Sequence, residues 1–257
     1  MDSPSGQDYC IVVPVLDEAV ALPSLLAELR HLGLLDRTIF VDNGSRDGGP
    51  ALIAAAGGEV LHEQRRGYGY PCLRGAREAE RRGAAAVVFL EADGTDDPAQ
   101  ARGLVGPVLA GAADLVIGSR RVAVWGDASG RMPLHQRLGN AWLATALRVL
   151  FGLRLSDDGP YRAVSVDLLR RLRLEERAYA FPTEMAVKAR LLGCRLAVRD
   201  TAYRERLGRS KIGGSWLGSL GAVRDITRCL LRLRLVGFRP ENGPAVGGIR
   251  AGRRPTQ

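Results

Sequence analysis

Residues 87–98, Val87-Val88-Phe89-Leu90-Glu91-Ala92-Asp93-Gly94-Thr95-Asp96-Asp97-Pro98, change character halfway along. The first four are apolar, β-favouring and of strand length, and read as a buried strand. The remainder is acids, Gly and Pro, which reads as a loop. In an open α/β sheet, ligands gather at the carboxyl ends of the strands. Glu91 and Asp93 would be delivered to that edge, where hard carboxylate oxygens suit Mg2+ or Mn2+ rather than zinc. Asp96 and Asp97 stand beside Pro98, where a helix N-cap belongs, and are read as a solvated turn.

The same change recurs along the chain. Residues 9–15 read as a strand running into Leu16-Asp17-Glu18 and then a helix through Leu22, Leu25, Leu26 and Leu29. Residues 38–41 form a short strand ending in Asp42-Asn43-Gly44-Ser45-Arg46-Asp47-Gly48. A helix over 50–56 and a strand over 59–62 follow. Gly67-Tyr68-Gly69-Tyr70-Pro71 then opens a helix to Arg81, ahead of a strand over 86–90. Strands are expected at 114–118 and 195–198, and helices at 134–151 and from Phe181-Pro182-Thr183-Glu184 onward. Strands alternating with helix-length crossovers predict a doubly wound, mostly parallel α/β sheet.

Three segments stand apart from that alternation. Residues 122–133 lack periodicity and read as a long lid or binding loop. Residues 203–214 form a basic, glycine-containing loop. In residues 216–238, Leu217, Leu220, Val223, Ile226, Leu230 and Leu231 alternate with Arg224, Arg228, Arg232 and Arg234. That spacing fits an interfacial amphipathic helix or one packed on the domain. The expected organisation is a flexible N-terminus (1–8), an α/β domain (9–214), an amphipathic helical appendage (215–238) and a disordered tail (239–257).

A length of 257 residues fits one large domain with an appendage, and 46% hydrophobic content is ample for its core. No apolar run reaches membrane-spanning length, and the polar residues 1–8 do not form a signal peptide. Cys10, Cys72, Cys194 and Cys229 lack paired spacing, so they read as small core residues in a reducing compartment. These features predict a cytoplasmic protein. The formal net charge of +9 comes mostly from Arg spread from end to end, with no basic helix interleaved with aromatics. It is read as serving phosphates and the anionic inner face of a plasma membrane rather than nucleic acid.

Taken in order, several clusters resemble glycosyltransferase family 2, and within it the polyprenol-phosphate (dolichol-phosphate mannosyltransferase-like) branch. They are Val13-Pro14-Val15-Leu16-Asp17-Glu18, Val41 to Asp47, Glu91-Ala92-Asp93, Gly118-Ser119-Arg120, Asp157 to Arg162, and Arg206-Leu207-Gly208-Arg209-Ser210-Lys211. The resemblance runs from Cys10 to about Gly214 and implies a GT-A fold with a nucleotide diphosphate sugar as donor. By that resemblance, Pro14, Leu16, Glu18, Asp42, Asn43, Glu91, Ala92, Asp93, Arg206, Ser210 and Lys211 bind the nucleotide sugar. Glu91, Asp93 and Thr95 hold Mn2+ or Mg2+, and Arg120 and Arg131 meet the acceptor's phosphate. Asp93, Arg120, Asp157 and Glu184 form the catalytic set.

The chemistry suits these residue types. A departing diphosphate accumulates charge that a divalent cation, Arg and Lys can stabilise. Three positions depart from the family pattern: Glu91 replaces the usual Asp, Asn43 stands where relatives often carry a second Asp, and Tyr68 stands where Lys is common. A nucleotidyltransferase should open instead with a Gly-rich phosphate loop after the first strand. An RNA-binding reading rests on basic charge alone. Relatives acting on hydroxyls open a helix with a Glu-Asp pair whose Asp is the base. Here that place reads Thr183-Glu184-Met185, and Met185 cannot take a proton. A phosphate monoester, already ionised, needs no such help. The expected reaction is therefore inverting hexose transfer to polyprenyl phosphate. Glu184, Asp157 or Asp158 as base would instead allow a soluble hydroxyl acceptor.

Overall fold

The computed structural model describes residues 8–120, 134–155, 158–208 and 216–240. The loop expected at 122–133, most of the terminal segments, and Arg131, Asp157, Ser210 and Lys211 lie outside the described residues.

In chain order, β1 (Tyr9–Val15) leads through α1 (Leu22–His31) to β2 (Thr38–Asp42), and α2 (Gly49–Ala55) leads to β3 (Glu59–His62). Next come α3 (Gly69–Arg81), β4 (Ala86–Phe89), α4 (Ala101–Leu109), β5 (Leu115–Ser119) and α5 (Leu134–Phe151). The chain continues through β6 (Arg162–Ser165), α6 (Val166–Leu172), α7 (Phe181–Leu191), β7 (Leu196–Asp200) and α8 (Trp216–Leu235). Pro23 and Pro50 sit in the first turns of α1 and α2, where a missing N–H costs no helical hydrogen bond.

The strands form one seven-stranded sheet in the order β3-β2-β1-β4-β6-β5-β7. The chain winds outward from β1 through β2 to β3, then returns to lay β4 on the other side of β1. Here the winding changes direction, and the crevice outside the carboxyl ends of β1 and β4 is where such sheets bind ligands. Every pairing is parallel except those of β6, which runs antiparallel between β4 and β5. Strand β6 is absent from the sequence expectation. Its four residues follow Gly159-Pro160 and carry a charged Arg162, so neither its length nor its composition announces it.

Alternate strand residues feed two cores, as a period of two requires. Cys10, Val12, Ile39, Val41, Val87 and Phe89 face a core built with residues of α3, α5, α6, α7 and α8. Ile11, Val13, Phe40 and Val88 face the other core, against Leu22, Leu25, Leu26 and Leu29 of α1 and Leu104, Val105 and Val108 of α4. Helix α8 contributes Cys229, Leu230 and Leu233 to the first core, so one of its faces packs on the domain.

Helix α3 seats on β1 through Gly75, where any Cβ would collide with both methyls of the buried, β-branched Val12. Val12 is stiff about χ1 and has nowhere to turn. Gly75→Val should therefore destabilise the fold by about 3 kcal/mol through overpacking. Urea denaturation would measure it, and an unchanged midpoint would contradict this seating.

Candidate active site

Three strand ends build the site, and each carries acids that must be satisfied where they stand. At the end of β2, Asp42 is buried and accepts the N–H groups of Gly44 (3.2 Å) and Ser45 (2.9 Å). Burial opposes its ionisation, but hydrogen bonds from Ser45, His62 and Gly44 outweigh that and hold its pKa below the usual carboxylate value. At the end of β1, Asp17 has a left-handed backbone with φ 48°. Its N–H donates to the Ser45 hydroxyl (3.0 Å) and its carboxylate accepts Arg46 N–H (2.6 Å), which zips the two strand ends together. Pro14 and Leu16 are partly buried at this edge, and Glu18 and Ala92 are buried.

Asn43, expected to bind the nucleotide sugar, is occupied otherwise. Its Nδ2 donates to the carbonyls of Glu63 (2.9 Å) and Arg65 (2.7 Å), and its Oδ1 accepts Gly67 N–H (3.1 Å). It is buried and braces the 63–67 loop against β2.

The end of β4 carries the motif that opened the sequence reading. Thr95 donates to Asp93 Oδ1 through its N–H (2.9 Å) and its hydroxyl (2.6 Å). The Thr95 hydroxyl proton is committed to Asp93 and orients that carboxylate. Asp97 caps the next turn through Ala99 N–H (3.0 Å). Asp96, read as solvated, is buried and accepts Glu91 N–H (3.0 Å), so it stitches the loop to its own strand.

Glu91 is partly buried, and Tyr68 donates its hydroxyl to Glu91 Oε1 at 2.7 Å. Burial first, then the neighbouring Asp93 and Asp96 carboxylates, push the Glu91 pKa up to about 8. Burial also raises the Tyr68 pKa well above its ordinary value, with Cys72 and Glu91 adding to it, so the phenol remains a donor. In the sequence Tyr68 stands out only as a departure from the family pattern. Its two flanking glycines were the available signal.

Residues 203–208 lie across this acidic loop. Arg204 N–H donates to Thr95 O and Leu207 N–H to Asp93 O, each at 3.0 Å, and Leu207 packs on Gly94. The Arg206 guanidinium bridges Asp93 Oδ2 (2.7 Å) and Glu18 Oε1 (2.8 Å), and its Nε is buried without a partner. Arg204 binds Glu28 and Asp97. Arg120, just past β5, stacks on the Tyr203 ring with 5.4 Å to the centroid. Glu18, Asp42, Glu91, Asp93, Arg120 and Arg206 thus gather at one edge of the sheet.

No group of three or more His, Cys, Asp or Glu among the described residues is arranged to hold a metal ion. Asp93 nevertheless offers a carboxylate oxygen that already holds a cation, the Arg206 guanidinium. One carboxylate with phosphate oxygens and water completing the shell is a normal site for Mg2+ or Mn2+, so the residues present fit such an ion.

Glu184, expected in the catalytic set, lies elsewhere in the chemistry. It is fully buried at the opening of α7. Its Oε2 accepts the N–H groups of Glu175 (2.9 Å) and Glu176 (2.7 Å), and its Oε1 meets Lys188 (2.8 Å) and Arg232 (2.9 Å). Its acceptor positions are spent on the backbone of 175–176, on Lys188 of α7 and on Arg232 of α8. Asp158 is likewise enclosed, with its side chain 2% exposed and its oxygens bound to Arg162 (3.1 Å) and Thr183 (2.7 Å). Glu184→Gln should cost about 3–5 kcal/mol, because Lys188 is left buried without its counter-charge. A denaturation midpoint unmoved by that change would restore Glu184 to the list of candidate bases.

A family model described as Glycosyl transferase family 2 matches residues 10–173. An undecaprenyl-phosphate mannosyltransferase of Micrococcus luteus is 32% identical over 244 residues, covering 90% of this chain and 98% of that protein. A polyprenol monophosphomannose synthase of Mycolicibacterium smegmatis is 30% identical over 221 residues, covering 81% and 82%. Among solved structures, glucosyl-3-phosphoglycerate synthase from Mycobacterium tuberculosis, in complex with Mn2+, UDP-glucose and phosphoglyceric acid, matches with a TM-score of 0.66. That match is 26% identical and covers 88% of this chain and 79% of the other.

Proposed function

The chain belongs to glycosyl transferase family 2, with the GT-A fold, and from that membership we propose inverting transfer of a hexose from a nucleotide diphosphate sugar to a polyprenyl phosphate. The observation that carries the acceptor is the opening of α7. A hydroxyl acceptor needs a base to take its proton. At this place Met185 is fully buried and apolar, Glu184 is spent on four donors, and Asp158 is enclosed by Arg162 and Thr183. None of these three is free to accept a proton, and Asp157, the remaining candidate, lies outside the described residues. A phosphate monoester arrives as an anion and attacks unaided. The relatives named for undecaprenyl phosphate and polyprenol support the same acceptor class.

In this reading Asp42, held ionised at the end of β2, and the neighbouring Pro14 and Leu16 receive the nucleoside. Arg206 and Lys211 meet the diphosphate, Arg by its two-pronged fork and Lys as a mobile point charge. Arg120, with Arg131, holds the acceptor phosphate. A divalent cation of the Mn2+ or Mg2+ kind, held by Asp93, supplies charge neutralisation for the leaving diphosphate. The acceptor oxygen bonds to the anomeric carbon as the bond to the diphosphate breaks on the opposite face, which inverts the configuration. The lipid acceptor places this work at the inner face of a membrane. No helix among the described residues is long and apolar enough to cross one.

A second reading has a specific observation behind it. The glucosyl-3-phosphoglycerate synthase structure holds phosphoglyceric acid, a small hydroxylated acceptor. One assay separates the two. Purified enzyme with Mn2+ is given labelled UDP-glucose or GDP-mannose and one of undecaprenyl phosphate, undecaprenol or 3-phosphoglycerate. Label should appear in the lipid phosphate alone, and label in either of the others would overturn the assignment. Asp93→Asn should lower the transfer at least about a hundredfold, as expected when several kcal/mol of charge stabilisation is lost.

A further inference from the structure

Tyr68 is held with more precision than a packing residue requires. On one side Gly67 N–H donates to Asn43 Oδ1 at 3.1 Å. On the other, Gly69 N–H donates to Arg177 O at 3.0 Å. The flanking glycines are sterically required. A Cβ on Gly67 would collide with Arg177 O, and one on Gly69 would lie 2.5 Å from Glu176 O. The 176–177 backbone is itself fixed, because Glu184 accepts the Glu176 N–H at 2.7 Å. The Tyr68 ring meets Phe181 edge-on at 6.0 Å, and Phe181 meets Phe89 of β4 in the same way. Its hydroxyl therefore stands at a set place beside Glu91.

Glu91 faces this aromatic wall rather than the cationic spot. The cation in the site, Arg206, bridges Asp93 and Glu18, and Glu91 is not among its partners. Glu91 Oε1 is taken by Tyr68, while Oε2 has no hydrogen-bond partner among the described residues.

From this geometry we infer that Tyr68 is a positioning residue for donor recognition: it fixes Glu91 so that Oε2 receives a hydroxyl of the donor's sugar, leaving the diphosphate to Asp93 and Arg206. The inference rests on the function proposed above, and it divides the acidic motif into a sugar-reading half and a phosphate-side half.

The test is calorimetric binding in Mn2+ of UDP against UDP-glucose and of GDP against GDP-mannose. Tyr68→Phe keeps the ring and removes the hydroxyl. It should weaken the nucleotide sugar that wild type binds about tenfold and leave the matching free diphosphate within about twofold. Equal weakening of both ligands, or of neither, would overturn the inference, since loss of general structure or of metal affinity moves the two together. Should Tyr68→Phe fail to fold, Glu91→Gln must give the same split. Wild type binding neither nucleotide sugar would sink the proposed function, and this inference with it. Wild type binding one that Tyr68→Phe leaves untouched would sink this inference alone.

Discussion

Like charges crowded at one edge of a sheet are the constraint from which the rest of this structure follows. Parallel strands β1, β2 and β4 all end at the same edge, and each runs directly into acids. Glu18, Asp42, Glu91, Asp93 and Asp96 are brought together there in surroundings drier than bulk water. Carboxylates in such a place repel one another and resist ionisation unless donors or cations answer them. The chain answers locally at Asp42, with Gly44 and Ser45, and at Asp93, with Thr95. It answers at long range with Arg204 and Arg206, which arrive more than a hundred residues later. Glu91 receives only a neutral hydroxyl, and its pKa is the one driven up to about 8.

Much of this was legible in the sequence because it rests on local signals. Tyr9–Val15 and residues 86–90 are apolar runs ended by acids, so the strands and the edge they supply could be read directly. Asp97 could be read as a cap from Pro98 beside it. Other features depend on partners remote in sequence. Nothing around Asp96 shows that it turns back to take the Glu91 N–H, and nothing around Asn43 shows that its amide is consumed by residues 63–67. Glu184 has the spacing of a catalytic acid, but its carboxylate is filled by Lys188 one turn on and by Arg232 from α8. Strand β6 takes its place from the β4 and β5 edges that enclose it rather than from its own four residues.

Helix α8 shows how one periodicity can serve two surroundings. Its apolar residues were compatible with packing on the domain or lying at an interface. Cys229, Leu230 and Leu233 are buried in the core, while Val223, Leu231 and Leu235 stay exposed among Arg224 and Arg228. Arg232 fastens the helix to the protein through Glu175, Glu176 and Glu184. The inner face thus has settled partners, whereas the outer face is an apolar stripe with cations along it.

Arg206 gives Asp93 and Glu18 a shared counter-charge, at 2.7 and 2.8 Å. Arg206 also pins residues 203–208 over the acidic loop. Two backbone hydrogen bonds, the Leu207–Gly94 contact and the Arg204 pairs with Glu28 and Asp97 share that attachment. The segment carrying it lies directly across Asp93, where an acid buried among other acids needs a counter-charge.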